Sequence, residues 1–436
     1  MPSADIEIIE WSRDKENERA SRFLMRPAVP PAAEKAAAEV LAEIARRGDE
    51  AVIEYAARFD NCDLSSQDLR VGPDEIAASA ALVDSEFKAA AEECLKRVEA
   101  YAERGLGQDW EMPTPAGGRV GERYHPLKRV GTYIPGGTAP LVSTALMTVP
   151  IARVAGVGEI AACTPADPSG AVNPYILYAL ELAGATEIYR IGGIQAIGAM
   201  AYGTDSIAAV QKIVGPGGPY VTAAKRQVYG KVGLDMVAGP SEIAVLADDS
   251  ADPRHVAADL LSQAEHGSGH EKILLVTTSR PLAEEVAEEL DRQSQTLPKL
   301  ETINAVFENG ALIAVVPDLE DGVELCNRFA PEHMEVIASD AARWAEKIRN
   351  AGALFIGPWT PEAAGDFVAG PSHVLPTGGT AAIFSGLTVA DFQRRSSLIE
   401  FTREDLVQTR AAIEAFGRVE TLAAHARSAS IRFEDG

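Results

Sequence analysis

Residues 241–279 read SEIAVLADDSADPRHVAADLLSQAEHGSGHEKILLVTTS, and this stretch decides the fold. SEIAVLAD and KILLVTTS hold short, continuous apolar runs of the kind found in buried strands. Between them, DPRHVAADLLSQAEHG carries its own helix punctuation. Asp252 can cap the N-terminus, Pro253 suits the first helical position, and Gly267 can serve as the C′ stop. Strand, helix and strand in this order make a βαβ unit, which predicts a parallel sheet.

The same alternation extends both ways. Downstream lie LIAVVPD, HMEVIAS and GALFIG, separated by helical stretches. Upstream, RVGTYIP, EIAACTP, EIYRIGG and KIVGPGG form an earlier series, again with helical sequence between them. Two doubly wound α/β domains are therefore expected. Residues 30–104 read as helical, broken at Gly48-Asp49, and the tail from about Gly378 reads as polar and helical.

Composition narrows the class. With 436 residues, 46% of them apolar and 24% charged, the chain can bury a large core without staples. A formal charge of −24 argues against a nucleic-acid or anionic-membrane partner, because long-range repulsion opposes approach. It leaves room for an anionic cofactor in a locally positive pocket. Cys62, Cys94, Cys163 and Cys326 show no metal-binding spacing and read as reduced thiols. The first residues carry charges and no apolar core, and no stretch approaches a membrane span, so a cytoplasmic protein is expected.

The seven histidines repeatedly stand beside other ligands or bases. Gln263 and His266 fall one helical turn apart, so both can reach one ion. Glu332 and His333, in APEHMEV, place an acid and an imidazole directly before a strand. Asp366 and His373 share a Gly/Pro-rich loop region, and Glu420 and His425 lie near the end of the chain. Taken singly, each has a plainer structural reading, such as a polar helix end, a solvated turn or a cap. Together, two imidazoles, a carboxylate and an amide oxygen would make a four-coordinate site suited to zinc, provided the segments meet. No GxGxxG follows a strand and no P-loop is present. The glycine turns YIPGGTAP, IGGIQAIG and VGPGGPYV each precede helical sequence, where backbone N–H groups can cradle phosphate.

At these residues the sequence resembles the histidinol dehydrogenase family. The resemblance runs from about Pro126 to Arg432 and is carried by RVGTYIPGGTAPLVSTALM, GGIQAIGAMAYGT, AGPSEIAVLAD, LLSQAEHG, APEHMEV, AGDFVAGPSHVLPT and LAAHARSASIR. It implies an intertwined dimer of two incomplete Rossmann-like domains. In that arrangement residues 1–29 form an arm. Residues 30–132 with 240–377 form the larger domain, which carries zinc and substrate. Residues 133–239 bind NAD, and residues 378–436 form a dimerisation tail. It further implies zinc held by Gln263, His266, Asp366 and, from the partner, His425. Glu332 and His333 match the catalytic bases. Ser241, His373 and the partner's Glu420 match substrate contacts, and Tyr133 and Gln195 match NAD contacts.

The implied reaction is a four-electron oxidation of a primary alcohol, L-histidinol, to its carboxylate through a bound aldehyde. One position departs from the family pattern. Where the family reads GPGN, this chain has Gly215-Pro216-Gly217-Gly218, so Gly218 lacks an amide that contacts NAD. A lost neutral hydrogen bond is worth about 0.5–1.5 kcal/mol, which weakens cofactor binding without abolishing it. The family also has relatives that oxidise other alcohols, such as sulfopropanediol, which is the alternative substrate class.

Overall fold

A computed structural model of the chain describes residues 6–15, 17–26, 29–136, 140–237 and 239–434. Gly137, Thr138 and Ala139 of the first glycine turn, and Ala238 of AGPSEIAVLAD, lie outside the described residues. The chain divides into two compact units, Met1–Gly105 with Leu127–Phe392, and Leu106–Pro126 with Gln393–Gly436.

The first unit holds two parallel sheets. In the six-stranded sheet the order is Ile8–Glu10, Ala311–Val315, Lys272–Thr277, Glu242–Ala247, His333–Ile337, Ala353–Ile356. Strand Glu242–Ala247 is buried along its whole length, as its unbroken apolar run requires. Ile243, Val245 and Ala247 pack on helices including Pro253–Ala264 and Arg280–Ser294. Ala244 and Leu246 face the opposite layer, with Phe23, Phe329 and Trp344. Helices on both faces make the sheet doubly wound, as expected.

The five-stranded sheet runs Glu187–Tyr189, Glu159–Cys163, Arg129–Tyr133, Lys212–Val214, Gly233–Leu234, all parallel. In both sheets the chain builds outward from a central strand and then jumps back across it. The jump falls between Glu242–Ala247 and His333–Ile337 in one sheet, and between Arg129–Tyr133 and Lys212–Val214 in the other. Ligands of open α/β sheets ordinarily sit at the carboxyl ends of such switch points.

The early helices Pro31–Arg47, Asp49–Asp60, Pro73–Leu82 and Ser85–Arg104 form as the periodicity predicts. Gly48 supplies the break, with a φ of 59° that favours glycine. Two segments group differently from the expected division. Val40, Leu41, Ile44 and Val52 share a core with Tyr133, Ile197 and Val221 of the five-stranded sheet, not with the six-stranded one.

Residues 106–126 and the tail also build a unit of their own. There Trp110–Pro113, Arg119–Pro126 and Gln393–Glu400 form an antiparallel three-stranded sheet, followed by helices Arg403–Val419 and Ala423–Ser430. The tail is thus only partly helical. Its strand QRRSSLIE is largely exposed and polar, so it shows no apolar alternation to read. All four cysteines are buried and unbridged. Among the described residues, no helix is long and apolar enough to cross a membrane.

Candidate functional site

Glu332 and His333, the predicted bases, lie together at the amino end of strand His333–Ile337, beside the amino end of strand Glu242–Ala247. Helix Leu319–Phe329 ends at Ala330, whose φ of 47° turns the chain, and Pro331 leads into Glu332 and His333. Both are buried. On the neighbouring strand, the Glu242 N–H donates to Glu332 Oε2 at 3.1 Å. The Glu242 carbonyl lies 3.2 Å from His333 Nδ1. A carbonyl can only accept, so this bond puts a proton on Nδ1 and leaves Nε2 to face the site. Nε2 is 3.4 Å from Glu362 Oε1 and 3.4 Å from Asp366 Oδ1.

The electrostatics are lopsided. Burial pushes the Glu332 carboxyl up to about 8, and the Asp366 charge adds to the effect. Burial opposes the charged His333 ring, but Glu332, Asp366 and Glu362 outweigh it and raise the ring to about 10. Burial likewise lifts Glu362 to about 7, with Asp366 adding to it. Asp366 lies far below the ordinary carboxylate range, because His333, His373 and His266 outweigh its burial. Three carboxyl groups thus surround one imidazole, and a cation bound there would favour their charged forms.

Of the predicted metal ligands, His266 and Asp366 come together here, and Gln263 lies one turn before His266 near the end of helix Pro253–Ala264. Helix Pro253–Ala264 is capped by Asp252, as expected, but ends with Glu265 as its C-cap. His266 therefore lies at the C′ position expected of Gly267, and Gly267 follows one residue later with a φ of 117° that favours glycine. His266 Nδ1 is 2.8 Å from Ser241 Oγ, and His266 Nε2 is 3.9 Å from Asp366 Oδ2. Ligand atoms about 2.0–2.1 Å from a tetrahedral zinc stand about 3.3 Å apart, so this separation is close to one edge of such a site. Gln263 is fully buried, yet neither its Oε1 nor its Nε2 has a hydrogen-bond partner. An orphaned buried amide is costly unless something else binds it, and a metal fits.

Among the described residues, His333, Glu362 and Asp366 also bring ligand atoms within 4.8 Å of one another. That trio shares Asp366 with the predicted set. Glu362 was missed from the sequence, although it stands four residues before Asp366 on the short helix Glu362–Phe367. The i, i+4 pair was the available signal. Ser262 Oγ donates to its other oxygen at 2.6 Å. His373 is placed by Thr144, whose Oγ1 lies 3.1 Å from Nε2. Glu420 and His425 belong to the second unit, where both are exposed near the turn between its two helices.

A cavity of about 440 Å³ opens beside Ser241 and His266, and its far wall is Pro216, Gly217, Gly218 and Pro219. It therefore joins the amino edge of the six-stranded sheet to the carboxyl-end switch point of the five-stranded sheet. Gly215 must be glycine, since a Cβ there would come 2.2 Å from the Tyr133 carbonyl. At Gly218, which caps helix Pro219–Val228, a Cβ would meet nothing within 4 Å. Tyr133 and Gln195 are buried and do not line this cavity. The Tyr133 hydroxyl accepts from the Gly193 N–H at 3.2 Å, and Gln195 Nε2 donates to Asp60 at 2.9 Å.

Comparison with known proteins identifies the family. The sequence profile described as "Histidinol dehydrogenase" matches residues 27–433. The chain is 46% identical over 395 residues to the histidinol dehydrogenase of Gluconobacter oxydans (strain 621H), covering 91% of each chain. It is 45% identical over 417 residues to that of Rhodopseudomonas palustris, covering 95% of this chain and 96% of the relative. The crystal structure of histidinol dehydrogenase from Elizabethkingia anophelis superposes with a TM-score of 0.93 at 35% identity, over 98% of both chains. With nearly its whole length matched in sequence and in fold, the chain belongs to the histidinol dehydrogenase family.

Proposed function

We propose that the chain oxidises L-histidinol to L-histidine through a bound aldehyde, with NAD as the hydride acceptor and zinc as a template. The observation that carries this reading is the cavity. It links a glycine-walled switch point, suited to a dinucleotide, with Ser241 and His266 at the opposing strand edge. Glu332 is held by the residue next to Ser241. On this reading residues 133–239 form the NAD side.

Gln263, His266 and Asp366 would hold zinc, with His425 supplied by a second copy of the chain. When bound, zinc supplies a fixed positive charge that orients the amine and imidazole nitrogens of the substrate, while NAD takes one hydride in each oxidation. The remaining work falls to the chain's own groups. His333 Nε2 takes the alcohol proton when the ring is neutral; the Nδ1 bond to Glu242 fixes which nitrogen does so, and the raised ring pKa of about 10 places this on the alkaline side. Glu332 accepts a proton from the water that attacks the aldehyde, and its burial suits it to that task near neutral pH. Ser241, His373 and a second copy's Glu420 contact the substrate. Gly218 stands in the NAD wall, and Tyr133 and Gln195 brace the elements behind it.

The test is stoichiometry. Zinc-loaded protein should release two NADH per histidinol consumed. A panel of primary amino alcohols and sulfonated diols is assayed alongside. Activity on one of those with none on histidinol would sink the assignment.

A further inference from the structure

Arg26 lies far from the bases in sequence, yet it converges on the segments that carry them. Its Nε forms an ion pair with Glu242 Oε1 at 2.5 Å, without the alignment of a hydrogen bond. Its Nη2 donates to the Phe329 carbonyl at 2.7 Å, and its guanidinium lies 4.3 Å from the centre of the Phe329 ring. Phe329 closes the helix whose next turn delivers Glu332 and His333. Arg26 thus grips both strands of the base-bearing pair, one at the Glu242 side chain and one just before Glu332.

The Glu242 side chain is otherwise poorly anchored. It is buried, it begins its strand, and among the described residues its second oxygen accepts one long 3.4 Å bond, from the Gly379 N–H. Burial raises its carboxyl and Arg26 opposes that rise, with Lys272 adding a smaller effect. Arg26 is itself fixed, because its Nη1 donates to the Leu24 carbonyl and Lys272 donates to the Met25 carbonyl. The peptide that contacts both Glu332 and His333 is held by the strand ladder on either side, and the Arg26–Glu242 ion pair adds a buried side-chain anchor at its start. A guanidinium can meet a carboxylate, a carbonyl and a ring face together, whereas an ammonium cannot.

We infer that Arg26 is a positioning residue for both bases, acting through Glu242. The inference rests on the reading of Glu332 and His333 as the bases of the reaction. It predicts that the alcohol and aldehyde steps depend on Arg26 together, since one peptide serves both.

The test uses full-length, zinc-loaded Arg26→Lys and the double variant Arg26→Met with Glu242→Gln. The double variant removes both partners of the ion pair together, so neither is left charged without the other, which guards against simple misfolding. Turnover is measured separately on the alcohol and the aldehyde, together with zinc content. The ring ¹⁵N resonances of His333 are recorded and assigned by their loss in His333→Asn. Both variants should keep zinc and hold KM within about threefold, while kcat falls about 10- to 100-fold in both steps, the scale of a small misplacement. The His333 ring should also lose its Nδ1-protonated signature. Unchanged kcat and ring signature in the folded variants, or a loss confined to one step, overturns the inference. The ring measurement needs no substrate, so it stands apart from any failure of histidinol as substrate.

Discussion

Ser241 Oγ lies 2.8 Å from His266 Nδ1, and this single contact decides which face of the His266 ring turns to Asp366. With Nδ1 engaged, Nε2 is left pointing at Asp366 Oδ2, 3.9 Å away. Metal-bound histidines depend on such a partner at their other nitrogen. Ser241→Ala should therefore weaken zinc binding by about 10- to 100-fold, measured by competition with a chelator. Unaltered zinc affinity would remove Ser241 from this role and leave it as a substrate contact only.

Gln263 offers a test of the metal site that needs no assay of activity. Its buried, unpartnered amide burdens the metal-free protein, at a scale of about 1–3 kcal/mol for an unsatisfied group. Gln263→Met keeps the volume and removes the burden. The metal-free variant should melt at the same temperature as the parent or higher, while the rise in Tm on adding zinc should shrink. A metal-free variant much less stable than the parent would mean that the amide has partners in solution.

The pH dependence of the second oxidation follows from Glu332. A base must be unprotonated, and burial raises this carboxyl to about 8, so the rate should climb with pH through a limb above the ordinary carboxylate range. A cation at Asp366 pulls the limb down from about 8 by offsetting the local negative charge. Glu332→Gln should spare the first oxidation, stall at the aldehyde and abolish that limb. A variant that completes both oxidations with the parent's pH profile would show that another group activates the water.

Much of this site was legible because its residues sit where the chain punctuates itself. The stretch around Gln263 and His266 carries a cap and a proline, and APEHMEV ends a helix and starts a strand. Glu362 and Glu242 were harder to see. Glu242 acts mainly through its peptide, which has no sequence signature, and Arg26 matters only because residues about 300 positions later fold against it. The three-stranded sheet was illegible for another reason. Exposed strands such as Gln393–Glu400 need no apolar face, so the usual period is absent. The grouping of the early helices with the five-stranded sheet is a tertiary choice, since an amphipathic helix does not name the surface it covers.

The second unit depends on one carboxylate. Asp405 accepts from the N–H groups of Gly118 at 3.0 Å, Ala116 at 3.1 Å and Thr402 at 2.9 Å. It also completes a capping box with Thr402 at the start of helix Arg403–Val419. Against the effect of burial, hydrogen bonds led by Thr114 and Thr402 hold its carboxyl down at about 2. A depressed pKa contributes stability that is present above the unfolded value of about 3.9 and is lost as pH falls through the folded value. The protection of amides in residues 403–430, relative to their intrinsic exchange rates at each pH, should therefore fall between about pH 4 and pH 2. Asp405→Asn should show fast exchange there already at neutral pH, with the strands of the first unit unaffected. Exchange in this helix pair that is indifferent both to the substitution and to acid would show that the loop at 114–118 is held by other contacts.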